Sequence, residues 1–320
     1  MSITSRIDAV TGIPSEYRSI TPPCPRSVKI ELTARCNYAC AFCARSLKLR
    51  DQKDMERSLF EWLLLEMRQA GVEEIGLFYL GESFLCRWLP EAVEYAKKTC
   101  GFPYVFLTTN GSLATPQQVK ACIEAGLDSL KFSYNYANEE QFVDVTKTKA
   151  ALFKKVRENI LGARKVRDQI ENATGHRCGL YASYIEYDGE QGKLMQDAIS
   201  EIAEYVDEVY ALPLYNQADL MGEAEEKREW VVTGGNRGRL GALREPVPCW
   251  ALFTEGHITY DGKLSACCFD HDGRFHMGDL TTAGFMEAWH SQKFQGLRQS
   301  HLDGKIIGTV CEGCLTHVSG

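Results

Sequence analysis

Six short runs of β-branched and aromatic residues alternate with five helical patterns between Ser27 and Pro213, and this alternation restricts the fold more than any other feature of the chain. The strand-like runs are Ser27 to Leu32, Glu74 to Tyr79, Tyr104 to Thr108, Ser129 to Ser133, Cys178 to Tyr184 and Glu208 to Pro213. Helical patterns lie between them at Ser58 to Ala70, Leu89 to Thr99, Thr115 to Ala125, Ala150 to Glu171 and Lys193 to Tyr205. Ser58 with Glu61, and Thr115 with Gln118, have the spacing of a capping box at a helix start. A strand that returns to its own sheet through a helix does so with a right-handed crossover, so repeated βα units build a parallel sheet. The expected fold class is α/β, and six units rather than eight predict an open, partial TIM-like (β/α)6 barrel over residues 27–215.

The flanks read differently. Residues 1–26 are polar and hold Pro22, Pro23 and Pro25, which predicts an extended N-terminal arm with little core. Residues 216–245 are charged and Gly-rich, as a linker, a mobile loop or an ordinary surface excursion would be. A small α+β unit is expected from 246 to 320. In it, His257 to Tyr260, the Asp261-Gly262 turn and Lys263 to Cys267 form a hairpin pattern. No apolar run is long enough to span a membrane, and the first residues lack the basic-then-apolar pattern of a signal peptide, so a cytoplasmic protein is expected. With 36 Lys+Arg against 43 Asp+Glu the net charge is -7, which provides no global basic field for nucleic acid.

Thirteen cysteines are many for such a chain. A reducing cytosol keeps thiols free, which turns attention from disulfides to metal ligation or catalysis. Cys36, Cys40 and Cys43 stand as CNYACAFC immediately after the first strand. Three thiolates so placed bind three irons of a cubane and leave the fourth open, whereas structural zinc wants a fourth ligand nearby, and none lies between Ser46 and Cys86. A second set is Cys249, twelve residues, Gly262, four residues and Cys267, then Cys311-Glu-Gly-Cys314. A hairpin turning at Gly262 returns Cys267 beside Cys249, and the Cys-x2-Cys turn completes a cage of four thiols. A zinc knuckle is the alternative for this set. Cys268 adjoins Cys267 and competes with it as a ligand, though the spacing to Gly262 favours Cys267.

With Phe42 directly before the last cysteine of Cys-x3-Cys-x2-Cys, the first segment resembles the radical S-adenosylmethionine (SAM) superfamily. The resemblance implies a [4Fe-4S] cluster on Cys36, Cys40 and Cys43 whose open iron chelates SAM. It also implies reductive cleavage of SAM to methionine and a 5'-deoxyadenosyl radical, which takes hydrogen from a substrate. Leu80-Gly81-Glu82-Ser83 is similar to the family's Gly-Gly-Glu-Pro stretch and implies Gly81 and Glu82 as contacts of the SAM amino group, with departures at Leu80 and Ser83. Thr108-Thr109-Asn110-Gly111 resembles the family's turn after strand three, and is equally a plain Asn-Gly turn. On strand four, Lys131, Ser133 and Asn135 share one face by the two-residue period. The family implies Ser133 and Asn135 as contacts of the SAM ribose, while Lys131 is a substrate contact or a solvated lysine.

The second cysteine set resembles the twitch and SPASM domains, which bind auxiliary [4Fe-4S] clusters. A full SPASM domain has more cysteines after the final pair, and six residues follow Cys314, so one auxiliary cluster on Cys249, Cys267, Cys311 and Cys314 is expected. Weak catalytic candidates are Lys131, Cys86, Glu255 and His257. A saturated cluster suits electron transfer, so the layout is similar to the twitch-type dehydrogenases of aminocyclitols. That resemblance implies dehydrogenation of a carbohydrate-, cyclitol- or nucleoside-like molecule, with flavodoxin or ferredoxin as electron donor. The alternatives are a maturase that cross-links or epimerises a ribosomal peptide and, from another class, a non-catalytic zinc or iron-sulfur protein.

Overall fold

The computed structural model describes residues 2–187, 189–221 and 231–316. All six runs form strands: β1 (Ser27–Ile30), β2 (Glu74–Gly76), β3 (Tyr104–Thr109), β4 (Ser129–Ser133), β5 (Gly179–Ile185) and β6 (Glu208–Leu212). Each pairs in parallel with the next in chain order. One face of the strands is apolar: Val28, Ile30, Ile75, Val105, Leu107, Leu130 and Phe132 are all buried. The opposite face carries Lys29, Ser129, Lys131 and Ser133, and it forms the inside of an open barrel.

The crossover helices include α2 (Arg57–Ala70), α3 (Leu89–Glu94), α4 (Pro116–Ala125), α6 (Ala151–Thr174) and α7 (Gly189–Ala203). In α2, Phe60, Leu63, Leu64 and Met67 recur at helical spacing and are all buried, which docks that face on the sheet. Thr115 caps α4 through Gln118 N–H at 3.4 Å as expected. Ser58 does not cap α2: Glu56 occupies the N-cap and makes no side-chain bond there. The helix expected over Leu89 to Thr99 divides into α3 and a π-helical turn at Tyr95–Thr99.

The C-terminal unit adds strands to the same sheet. β7 (Glu255–Ile258) pairs in parallel with β1, in the register Ser27 with Glu255 and Lys29 with His257. β8 (Lys263–Ser265) and β9 (His276–Asp279) follow antiparallel, so nine strands run in the order β6-β5-β4-β3-β2-β1-β7-β8-β9. The expected hairpin is β7-β8, and Gly262 turns it with φ +77, a conformation that only glycine adopts without strain. Helices Phe285–Trp289, Gln292–Leu302 and Glu312–Thr316 close the unit.

Two segments differ from expectation. The N-terminal arm is not extended: Ile3–Thr11 forms helix α1, which lies against the N-terminal ends of the strands. Ile3 N–H donates to Glu208 at 2.8 Å, Arg6 pairs with Glu74 and covers the Tyr104 ring, and Asp8 chelates Arg239. Only Ile3 and Thr11 of this helix are buried, too few positions for its amphipathic character to show in the sequence. The charged segment 216–245 is not a detached linker where it is described. Tyr215 bridges to Thr233, and Asn216 and Gly235 hydrogen-bond to Cys314. Residues 222–230 of that segment, and 317–320 of the C-terminal unit, lie outside the described residues. Among the described residues no helix is long and apolar enough to cross a membrane.

Candidate functional site

The loop after β1 brings Cys36, Cys40 and Cys43 together at the C-terminal ends of the strands. Arg45 organises it, donating to the carbonyls of Ala34, Cys36 and Tyr38 at 3.3, 3.3 and 3.4 Å. From the other side a helix that the sequence reading did not anticipate, α5 (Glu139–Thr146), offers its C-terminal carbonyls: Ala39 N–H donates to Thr146 and Ala41 N–H to Val145. Tyr38 packs edge-on against Phe142 of α5, ring centroids 5.8 Å apart. Phe42 is half-buried against the core. Burial pushes the Cys36 thiol up to about 11, with Glu82 adding to the shift, and it raises Cys40 and Cys43 as well. Cys40 feels both of its neighbouring thiols, so three thiolates here need a positive partner.

Gly81 and Glu82 lie beneath this loop. A Cβ on Gly81 would stand 2.0 Å from the Thr33 carbonyl oxygen, so glycine is required for the two segments to touch. Glu82, 2 % exposed, accepts from Thr109 Oγ1 at 2.7 Å, Asn110 N–H at 2.7 Å and Phe84 N–H at 3.2 Å. Burial raises its carboxyl, and these donors work in the opposite direction. Asn110 in turn donates to Asn37 at 2.9 Å and reaches Cys36 Sγ at 3.9 Å. Gly81, Glu82 and the Thr109-Asn110 turn therefore form one braced unit with the cysteine loop. On β4 Ser133 follows Phe132, the strand partner of Thr109, and Asn135 is already used, its Oδ1 accepting from Ile185 N–H at 3.0 Å.

Inside the barrel is a cavity of about 300 Å³. Lys131 lines it and donates to Ser133 and Ser183, both at 3.1 Å, and among the described residues no carboxylate pairs with it. Burial, reinforced by nearby Lys29, pulls its amine down to about 7. Glu255 also lines the cavity, its Oε2 taking Lys29 Nζ at 2.8 Å and His257 Nε2 at 2.9 Å. Burial pushes that carboxyl up, but Lys29 and His257 outweigh it and the net shift is down. His257 lies behind Glu255, 0 % exposed, with its ring 5.3 Å from that of Tyr79, whose hydroxyl donates to the Cys267 carbonyl. Cys86 is buried under the Glu82 turn and does not line the cavity. Lys29, Asn236 and the α1 floor (Ile3, Arg6, Ile7) were not singled out from the sequence. Lys29 had a signal, a charge alternating with Val28 and Ile30 within a strand.

Cys249, Cys267, Cys268, Cys311 and Cys314 line a second cavity, joined by His301 and Asn236. Cys268, Asn236 and Phe269 line both cavities, so they form the wall between them. Asn236 Nδ2 donates to Cys268 Sγ at 2.9 Å and Phe269 N–H to Cys267 Sγ at 3.3 Å. Burial raises Cys311 to about 12 and Cys314 to about 11, each further raised by a neighbouring thiol. Among the described residues no three His, Cys, Asp or Glu side chains converge as a single-ion site requires. A zinc ion draws its thiolates to ~2.3 Å of one centre, whereas thiolates of a four-iron cluster each hold a different iron and stand apart. A set of three thiols that leaves one iron open and a cage of four more are donor sets that four-iron clusters take.

Family descriptions match two stretches: the radical SAM superfamily over residues 30–176 and the SPASM iron-sulfur cluster-binding domain over residues 249–315. GTP 3',8-cyclase of Chlorobaculum tepidum is 32 % identical over 120 residues, 38 % of this chain and 36 % of that protein. A probable GTP 3',8-cyclase of Methanopyrus kandleri is 32 % identical over 124 residues, 39 % of each chain. The match thus spans little more than a third of the length of these relatives. BtrN in complex with AdoMet and 2-DOIA superposes with a TM-score of 0.59 at 15 % identity, covering 91 % of both chains. Streptococcus suis SuiB bound to the precursor peptide SuiA gives 0.60 at 15 % identity over 85 % of this chain and 66 % of that one. At such identities these structures share the fold. Together with the two cysteine sets, the matches give this chain a radical SAM superfamily domain over residues 30–176 and a SPASM iron-sulfur cluster-binding domain over residues 249–315, which imply [4Fe-4S] clusters and S-adenosylmethionine as cofactors.

Proposed function

We propose that the chain dehydrogenates a carbohydrate-, cyclitol- or nucleoside-like small molecule held in the barrel cavity. The observation that carries this reading is the position of that cavity. Lys131 lines its wall within 3.1 Å of Ser133, a proposed SAM contact, and Cys268 joins its wall to the auxiliary cysteine cage. A space of about 300 Å³ suits a small molecule rather than a folded peptide. When bound at Cys36, Cys40 and Cys43, the first cluster and SAM supply the radical that removes a substrate hydrogen atom. Removing a second hydrogen as proton and electron completes a two-electron oxidation. Lys131, whose amine is lowered to about 7 so that a substantial fraction is unprotonated at neutral pH, is the proposed acceptor of that proton, since Glu255 is engaged by Lys29 and His257. The cage of Cys249, Cys267, Cys311 and Cys314 is the proposed destination of the electron. Gly81, Glu82, Phe42 and Ser133 are proposed to seat SAM, Asn135 being left out because its Oδ1 is engaged by Ile185, and an external donor of the flavodoxin or ferredoxin type to reduce the first cluster. The relatives named GTP 3',8-cyclase add nucleotides to the molecules to be tried.

The test is an anaerobic assay of the reconstituted chain with SAM and reductant against aminocyclitols, nucleotides, nucleotide sugars and short peptides. The expected result is 5'-deoxyadenosine with a two-hydrogen mass loss from one small molecule. Lys131→Met is expected to lower dehydrogenation by about 10²–10⁴-fold, the range of a general base, while 5'-deoxyadenosine still forms. Substrate turnover without mass loss, or on peptides alone, refutes the dehydrogenase reading.

A further inference from the structure

The cysteine cage is lined by a histidine with one buried polar atom that has no partner among the described residues. His301, on helix Gln292–Leu302, is 1 % exposed and lines the cavity with Cys249, Cys267, Cys268, Cys311 and Cys314. The backbone N–H of Cys249 donates to its Nδ1 at 3.2 Å. A ring nitrogen that accepts holds no proton, so this hydrogen bond places the hydrogen of the neutral imidazole on Nε2. Nε2 is buried and has no hydrogen-bond partner among the described residues. Buried N–H groups without an acceptor are rare in folded proteins. The group facing this one is a cavity walled by thiols.

We propose that His301 donates its Nε2–H to a sulfur of the auxiliary cluster and thereby sets that cluster's reduction potential. The inference rests on the reading of the cage as a [4Fe-4S] site. Two other donors already point at the cage, Asn236 Nδ2 to Cys268 and Phe269 N–H to Cys267, and His301 supplies one beside Cys249. The reduced form of a cluster carries one more negative charge than the oxidised form, so a donor aimed at its sulfurs stabilises the reduced form more and raises the potential. His301 is a positioning residue in this role. It lines the cysteine cage and not the barrel cavity, and its accepting side holds the Cys249 backbone in place.

The test separates the auxiliary cluster from the first. In the full chain carrying Cys36→Ala, Cys40→Ala and Cys43→Ala, the only cluster expected is the auxiliary one, and its midpoint potential is read by an anaerobic redox titration followed by electron paramagnetic resonance. Adding His301→Leu is expected to shift that potential to a more negative value. Adding His301→Gln, which keeps one acceptor and one donor, is expected to return it towards the starting value. In the chain with all cysteines intact, the first cluster's potential should stay the same in both variants. An unchanged potential in His301→Leu overturns the inference, as does loss of the auxiliary irons in both variants, which would make His301 a ligand. If the triple-alanine chain binds no cluster although it is folded, the cluster reading itself fails and takes this inference with it.

Discussion

Lys131 sits among two hydroxyls and a second amine, and its environment predicts how stability changes with pH. In the unfolded chain the amine titrates near 10.5, in the folded chain near 7. Between those values the unfolded state binds a proton that the folded state does not, so stability falls as pH drops from about 10.5 to about 7 and levels off below. Replacing Lys131 by Met removes this penalty. The difference in melting temperature between Lys131→Met and the parent should therefore be largest below about pH 7 and shrink towards about pH 10. A pH-independent difference would show that the amine is not desolvated. Arg45 invites a second prediction at this scale. It holds three carbonyls of the cysteine loop, so Arg45→Ala should lose the first cluster and keep the second, with iron falling from about eight to about four per chain.

Helix α5 shows what the sequence reading could and could not reach at the scale of elements. The long crossover helices and the parallel strands were legible because their apolar residues repeat over many positions, as in Phe60, Leu63, Leu64 and Met67. Helices α1 and α5 have only nine and eight residues, too few for the pattern to stand out. For α5 a local sign existed, since Asn138 caps it by accepting from Gln141 N–H at 2.9 Å and two glutamates follow in the first turn. The cysteine sets were legible for a different reason, because Cys36, Cys40 and Cys43, and again Cys311 and Cys314, lie close along the chain, and the turn at Gly262 links Cys249 to Cys267. His301 and Asn236 reach the cage through space, and no spacing in the sequence announces them. Because Phe142 of α5 is fully buried against Tyr38 and Tyr136, Phe142→Ala should destabilise the protein by about 3–5 kcal/mol, read from the denaturant midpoint. It should also weaken iron retention at Cys36, Cys40 and Cys43, whereas a cavity without effect on the loop would leave iron content unchanged.

The nine-stranded sheet makes the molecule one unit, although its sequence reads as a barrel and an appended domain. β1 lies in its middle, with β2 on one side and β7 on the other. A chain ending after Arg244 would expose the unpaired edge of β1, with Val28 and Ile30 beside it. Such a truncation should be aggregation-prone and melt at a lower temperature than the whole chain; a soluble, cooperatively folded fragment would show that the barrel stands alone. The full chain should unfold in a single transition when followed by circular dichroism and by tryptophan fluorescence.

The β1-β7 ladder has a further consequence. β1 runs directly into Cys36, and the hairpin that begins with β7 runs directly into Cys267. Cys36 and Cys267 are therefore carried by one hydrogen-bonded frame, with β7 standing between β1 and β8, the strands that lead to them. The frame acts as a fixed gauge. Under the proposed function, the span an electron crosses from the barrel to the auxiliary cage is set by this ladder of strands.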